Sequence, residues 1–208
     1  MKRPLLAFLL AAAPVLSTGQ IDERVVKPEI RVGDSWTYRG TNILGPGTQV
    51  HESRVSFVDE KVILVVSTRK SDGKEFDSSW TSEWNAVTAH SGNMYRPHTG
   101  FFKFPLHVGE RYELNFEQFR PRANTRINRS AGSAVAVGWE TVDVPAGKFR
   151  AMRMEAEYVT TPSDGGNPFP QKGVYWYSPE VRRWVKFQFV GPNSLLAEEL
   201  LEYKLNEN

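Results

Sequence analysis

Apolar and polar residues alternate along most of this chain with a period of two, the mark of β-strands with one face buried and the other in water. In RYELNFEQF, Tyr112, Leu114 and Phe116 oppose Arg111, Glu113, Asn115 and Glu117. In EKVILVVST, Val62, Leu64 and Val66 oppose Ile63, Val65 and Ser67, which reads as a strand buried on both sides. Beyond Pro145-Ala146-Gly147, Met152, Met154, Ala156 and Tyr158 take one face and Arg153, Glu155 and Glu157 the other. Short turns punctuate the runs at Asp59-Glu60, at Ser71-Asp72-Gly73-Lys74 and at Ser178-Pro179-Glu180. Strands joined this way pair antiparallel, since parallel pairing needs crossovers of about a dozen residues or more. The pattern therefore predicts an all-β, mainly antiparallel domain of roughly eight to eleven strands with little helix. Two segments are less clear. IDERVVKPEI, with Pro28, reads as an extended or short helical lead-in, and SLLAEELLEYKL suits either a helix or, the preferred reading, a closing strand.

The first nineteen residues break the pattern. Lys2 and Arg3, an apolar stretch from Leu5 to Leu16 and then small residues have the parts of an export signal, with Gln20 as the expected mature start. The stretch is too short to span a bilayer, which takes about 20 residues, and no later segment is long and apolar enough to do so. Residues 20–208 are then a single β-rich domain in the periplasm. Leu16-Ser17-Thr18-Gly19 is similar to the run before a lipidated cysteine, but the chain contains no Cys. Lipidation at that position and disulfides are excluded, so the core alone must stabilise the fold. The formal charge of +2 comes from Lys2 and Arg3, and without them 24 basic side chains face 24 acidic ones. A neutral domain lacks the positive field that nucleic-acid binding draws on, so no nucleic-acid partner is expected.

Motifs for chemistry are sparse. His51, His90, His98 and His107 form no metal-binding spacing, there is no G-x-S-x-G elbow and no phosphate-cradling glycine loop, and no catalytic residue, metal or cofactor is expected. On one strand face Glu155 and Glu157 would lie roughly 6 to 7 Å apart, near the spacing of paired glycosidase carboxylates. Arg153 beside them favours a solvated, ion-paired face instead. Arg120, Arg122, Arg126 and Arg129 gather four guanidinium groups between Glu117 and Glu140, either a patch for anionic head groups or an acidic partner, or a solvated hairpin loop. Trp80, Trp84, Phe101, Phe102 and Phe104 could line an apolar groove inside a curved sheet or fill the core.

Three stretches, FPLHVGERY, VDVPAGKFRAMRME and YWYSPEVRRWVKF, together resemble a group of exported proteobacterial proteins of the domain-of-unknown-function kind, some labelled TapB-like. The resemblance spans roughly residues 30 to 205 and is similar in style to the curved sheets of periplasmic lipoprotein carriers. It implies a half-barrel or open barrel with an apolar concave side and supplies no catalytic residues. The function expected is a non-enzymatic periplasmic binding or carrier module for an apolar or amphipathic ligand, such as a lipid or lipidated segment. The alternative is an envelope interaction or assembly protein that engages a protein partner by a sheet edge or the arginine loop. A hydrolase using Glu155 and Glu157 comes third.

Overall fold

The computed structural model of the protein describes residues 24–42, 44, 47–120 and 123–207. The expected export signal, the start at Gln20 and Arg122 lie outside them. Twelve strands follow in order: β1 (Ser35–Asn42), β2 (Gly47–Val58), β3 (Val62–Arg69), β4 (Glu75–Thr81), β5 (Ala86–Thr88), β6 (Met94–Arg96), β7 (Arg111–Arg120), β8 (Thr125–Val144), β9 (Gly147–Pro162), β10 (Phe169–Ser178), β11 (Arg183–Gly191) and β12 (Ser194–Lys204). Each pairs antiparallel with its neighbours in sequence, and β12 pairs with β1 from Ser35↔Lys204 to Asn42↔Leu196. The curvature expected of the sheet thus goes to full closure, giving a meandering up-and-down barrel. The strand count exceeds the expected range because β5 and β6, of three residues each, are too short to show alternation. SLLAEELLEYKL is the closing strand, and Val25 of the N-terminal lead-in bridges Leu106 in extended form. No helix occurs among the described residues.

The alternation of the sequence sorts side chains between lumen and outer wall. Leu114, Phe116, Met152, Met154 and Ala156 are buried, while Arg111, Glu113 and Glu157 are exposed. In β3 only Ile63, Val65 and Ser67 are buried, and Leu64 stays 39% exposed, so one face of this strand is wet. A charged outer wall is the reverse of a membrane-spanning barrel, whose outer band is apolar. Among the described residues no helix is long and apolar enough to cross a membrane.

The two ends of the barrel differ. At one end the 97–110 segment folds inward. Asn85 exchanges two hydrogen bonds with the backbone of Phe102, its Nδ2 donating at 2.7 Å and its Oδ1 accepting at 2.8 Å. Phe102 then packs among Tyr175, Tyr177 and Trp184, and Phe104 stacks on Phe102. The same end is clasped by Asp34, fully buried, whose carboxylate accepts from the Asn206 amide at 2.7 Å, the Arg31 amide at 3.0 Å and Arg182 at 3.3 Å. The opposite end carries the β1–β2, β3–β4, β7–β8, β9–β10 and β11–β12 hairpins.

Where β8 crosses β9, Gly132 has no room for a side chain: a Cβ there would sit 2.1 Å from the Glu157 carbonyl oxygen and 2.5 Å from Tyr158 Cα. Gly138, beside the β8 bulge, has nothing within 4 Å. Gly132→Ala should destabilise the barrel by about 1–3 kcal/mol through overpacking, lowering Tm by roughly 2–4 °C for each kcal/mol. Gly138→Ala should stay within about 0.5 kcal/mol of the parent. Thermal melts of the pair check the crossing, and equal melts would contradict it.

Candidate ligand-binding lumen

Between the plugged end and the open hairpins the barrel encloses a cavity of about 390 Å³. Aromatic rings supply most of its walls. Trp80 of β4 and Trp84 of the following turn face Trp184 of β11, while Phe116 of β7, Tyr158 of β9, Tyr175 of β10 and Phe187 and Phe189 of β11 line the rest. Phe101 of the inward segment forms part of the floor and contacts Phe116, Tyr158 and Tyr175 at centroid distances of 5.7–6.0 Å. Polar groups border the cavity towards the hairpin end: Gln118, Ser130, Gln171, His90 and Ser91. Four of them are already committed: Ser130 Oγ lies 2.8 Å from Thr160 Oγ1, which in turn lies 2.6 Å from Gln171 Oε1, Gln118 Oε1 accepts from Asn128 Nδ2 at 2.8 Å, and His90 meets Ser67.

At the deep side of this space sits a charge. Arg183 is only 2% exposed, and its guanidinium carbon lies 4.3 Å from the Trp184 ring centroid, 4.7 Å from Trp84, 5.0 Å from Trp36, 5.5 Å from Tyr38 and 5.8 Å from Trp80. The backbone around Arg183 holds three of these rings in place. Trp36 Nε1 donates to the Val181 carbonyl at 2.8 Å, Trp84 Nε1 to the Arg182 carbonyl at 2.8 Å, and Tyr38 Oη to the Trp184 carbonyl at 2.7 Å. A register shift between β10 and β11 places Trp176 opposite Lys186 and Tyr177 opposite Trp184, leaving Val185 as a bulge. Strict alternation breaks there, and Arg183, Trp184 and Val185 are all buried.

Two histidines join the wall. His51 of β2 stacks on Tyr38, and its ring meets that of His90 edge-on at 6.1 Å. His90 presents an exposed residue surface from the 89–92 turn, but its imidazole turns inward, with Nε2 3.0 Å from Ser67 Oγ. Burial of the ring, helped by Arg183 and then by His51, pulls its pKa down to about 4. Burial likewise lowers that of His51, partly opposed by Glu198, whose carboxylate is 4.0 Å from its Nε2. Burial raises the Tyr175 phenol well above its ordinary range, and Tyr158 and Glu198 add to this. No cluster of three or more His, Cys, Asp or Glu able to hold a metal occurs among the described residues.

The residues singled out from sequence separate into three places. Trp80, Trp84 and Phe101 line the cavity, whereas Phe102 and Phe104 pack beneath it in the plug. Arg120, Arg126 and Arg129 lie on the β7–β8 hairpin at the open end. Arg126 is held by Glu117 at 2.6 Å, and Arg120 and Arg129 are exposed. Glu155 and Glu157 lie on the outer wall, both bound by Lys172 Nζ at 2.7 Å, and Arg153 contacts Glu155 as well. Arg183 escaped the sequence reading, as did His51 and His90 as a pair, because a buried arginine and a contact spanning 39 positions leave no local periodicity to detect.

Among solved structures, this barrel is similar to a protein assigned as a lipoprotein from Parabacteroides distasonis ATCC 8503, with a TM-score of 0.54 and 16% identity over 86% of this chain and 99% of that one. It is also similar to a protein assigned as exported, with a YmcC-like fold, from Bacteroides fragilis NCTC 9343, with a TM-score of 0.55 and 15% identity over 86% and 99%. The hypothetical lipoprotein YmcC from Escherichia coli K12 aligns with a TM-score of 0.43 and 9% identity over 81% and 84%. No family model matches the chain, and no curated protein matches it. At these identities the likeness concerns the fold.

The lumen histidines generate a titration test. NMR should find His90 titrating near pH 4 and His51 below 6.5. Both pKa values are depressed, so the unfolded chain binds more protons between those values and 6.5. The stability contributed is full above pH 6.5 and falls as pH drops through that window. Ordinary titration of both rings near 6.5 would contradict their burial.

Proposed function

We propose that the chain is a non-enzymatic binding or carrier module that holds one apolar or amphipathic ligand in its lumen, and that it works outside the cytoplasm, in the periplasm. The observation that carries this reading is the cavity of about 390 Å³ inside the barrel, walled largely by tryptophan, tyrosine and phenylalanine. Ligand sites run from about 300 to 1,000 Å³ and combine apolar walls with a few placed polar groups. Compartment is supported by the signal-like leader and by the exported and lipoprotein descriptions of the similar structures.

The alternatives have less behind them. β1 and β12 satisfy each other, so the sheet-edge version of an interaction protein has only the parts of β4 and β7 that the short β5 and β6 leave uncovered to extend. Its arginine-loop version rests on Arg120 and Arg129, because Glu117 engages Arg126. For hydrolysis, Glu155 and Glu157 face outward and are neutralised by Lys172 and Arg153, away from the cavity.

An apolar cavity of about 150 Å³ admits benzene, so this lumen suits a ligand of about fifteen non-hydrogen atoms by proportion. Delipidated protein should therefore take up one medium-chain acyl ligand in native mass spectrometry and displace a fluorescent fatty-acid probe. Ala89→Trp, which fills the lumen from the turn above β5, should weaken that uptake tenfold or more while leaving the melt close to the parent's. Absence of any acyl uptake by the delipidated parent would sink the proposal.

A further inference from the structure

Burying a guanidinium is unfavourable unless the charge and its N–H groups are met, and at Arg183 they are met only in part. The surrounding ring faces attract the cation. They accept nothing from its five in-plane donors. Nε and Nη1 are buried without a hydrogen-bond partner, and the guanidinium forms no ion pair with any described residue. The other buried polar atoms left without partners near the lumen, such as Trp184 Nε1 and His98 Nδ1, belong to groups that need no counter-charge. The cage cannot readily rearrange to satisfy Arg183, because Trp36, Trp84 and Tyr38 are each tied to the backbone at 181–184.

The charged and titratable groups around it come from every side of the cavity. Glu198 of β12 favours the charged arginine through space, but its close contact is with His51 rather than Arg183. His51 of β2 and His90 of the 89–92 turn are neutral at pH 7, and Tyr38 and Tyr175 are neutral phenols. No acidic side chain therefore pairs directly with Arg183, and the space it borders is lined mainly by aromatic rings, with the Glu198 carboxylate also on its wall.

From this geometry we infer that the lumen takes an anionic amphiphile, with a carboxylate or phosphate head group seated inward at Arg183 and its apolar chain running past Tyr175 and Phe187 towards Phe189 at the open end. A head-group oxygen supplies an acceptor that the cage lacks, as a charge-assisted contact with the part of the guanidinium that borders the cavity. The inference rests on the lumen being a ligand site and adds the charge of the ligand and the residue that reads it.

The test measures affinities of delipidated protein for dodecanoate, dodecyl phosphate, 1-dodecanol, acetate and inorganic phosphate by calorimetry and probe displacement. Dodecanoate or dodecyl phosphate should bind about ten- to a hundredfold tighter than dodecanol, the range expected of a hydrogen bond to a charged group. Acetate and inorganic phosphate should not compete at millimolar concentration. Arg183→Met should abolish the preference while leaving dodecanol affinity within about twofold, and Arg183→Lys should restore part of it. Its Tm should not fall, because an apolar side chain replaces an unpaired charge; a merely structural arginine would instead give a lower Tm and an intact preference. Glu198→Gln, which removes a competing negative charge from the same space, should tighten dodecanoate binding and decides the matter if Arg183→Met fails to fold. Equal binding of acid and alcohol, a preference that survives Arg183→Met, or inorganic phosphate binding as tightly as dodecyl phosphate would each overturn the inference. Uptake of neither acid nor alcohol would overturn the lumen reading beneath it.

Discussion

The pairing of β12 with β1 is the constraint on which the rest of the structure depends. It turns a meander into a closed wall, so every inward side chain is enclosed. A barrel of about eight strands is just filled by its own side chains or holds one small ligand. Twelve strands enclose more space than their inward residues can fill. Part of the excess is taken by the 97–110 segment, which brings Phe101, Phe102 and Phe104 inside and closes one end. What remains is the cavity, and its position follows from which end the plug occupies.

Within that frame, the β10–β11 turn does two jobs with adjacent arginines. Arg182 reaches the buried Asp34 carboxylate and fastens the turn to the N- and C-terminal segments. Arg183 points the other way, into a ring of tryptophans, two of which, Trp36 and Trp84, grip the same stretch of backbone through their N–H groups. The first arginine spends its charge on the fold. The second keeps its charge unspent, at a cost in stability that packing elsewhere must offset, and residues held at such a cost commonly serve binding.

Much of the barrel was legible in the chain. Alternation gave the faces of β7 and β9, and short turns gave antiparallel neighbours, because both are local properties. Closure was not legible, since pairing of Ser35 with Lys204 is a long-range event with no local signature; nor were β5 and β6, which are shorter than one full alternation. The site divides in the same way. Trp80, Trp84 and Phe101 could be named as wall residues from aromatic content. Arg183 stands in YWYSPEVRRWVKF, where nothing local distinguishes it from Arg182, and it is buried beside the register shift at Val185 that breaks the alternation. Conversely, Glu155 and Glu157, the best carboxylate pair in the sequence, are an outer-wall ion network with Lys172, as ordinary strand alternation requires.

The central claim is that an amphiphile occupies the lumen beside Trp80, Trp84 and Trp184, and quenching of tryptophan fluorescence by a bromine-labelled medium-chain fatty acid measures it most directly. The account predicts saturable quenching at one equivalent, because the heavy atom is brought among those three rings. Quenching that stays linear and unsaturated with concentration, as collision at the outer-wall Trp176 would give, would contradict it.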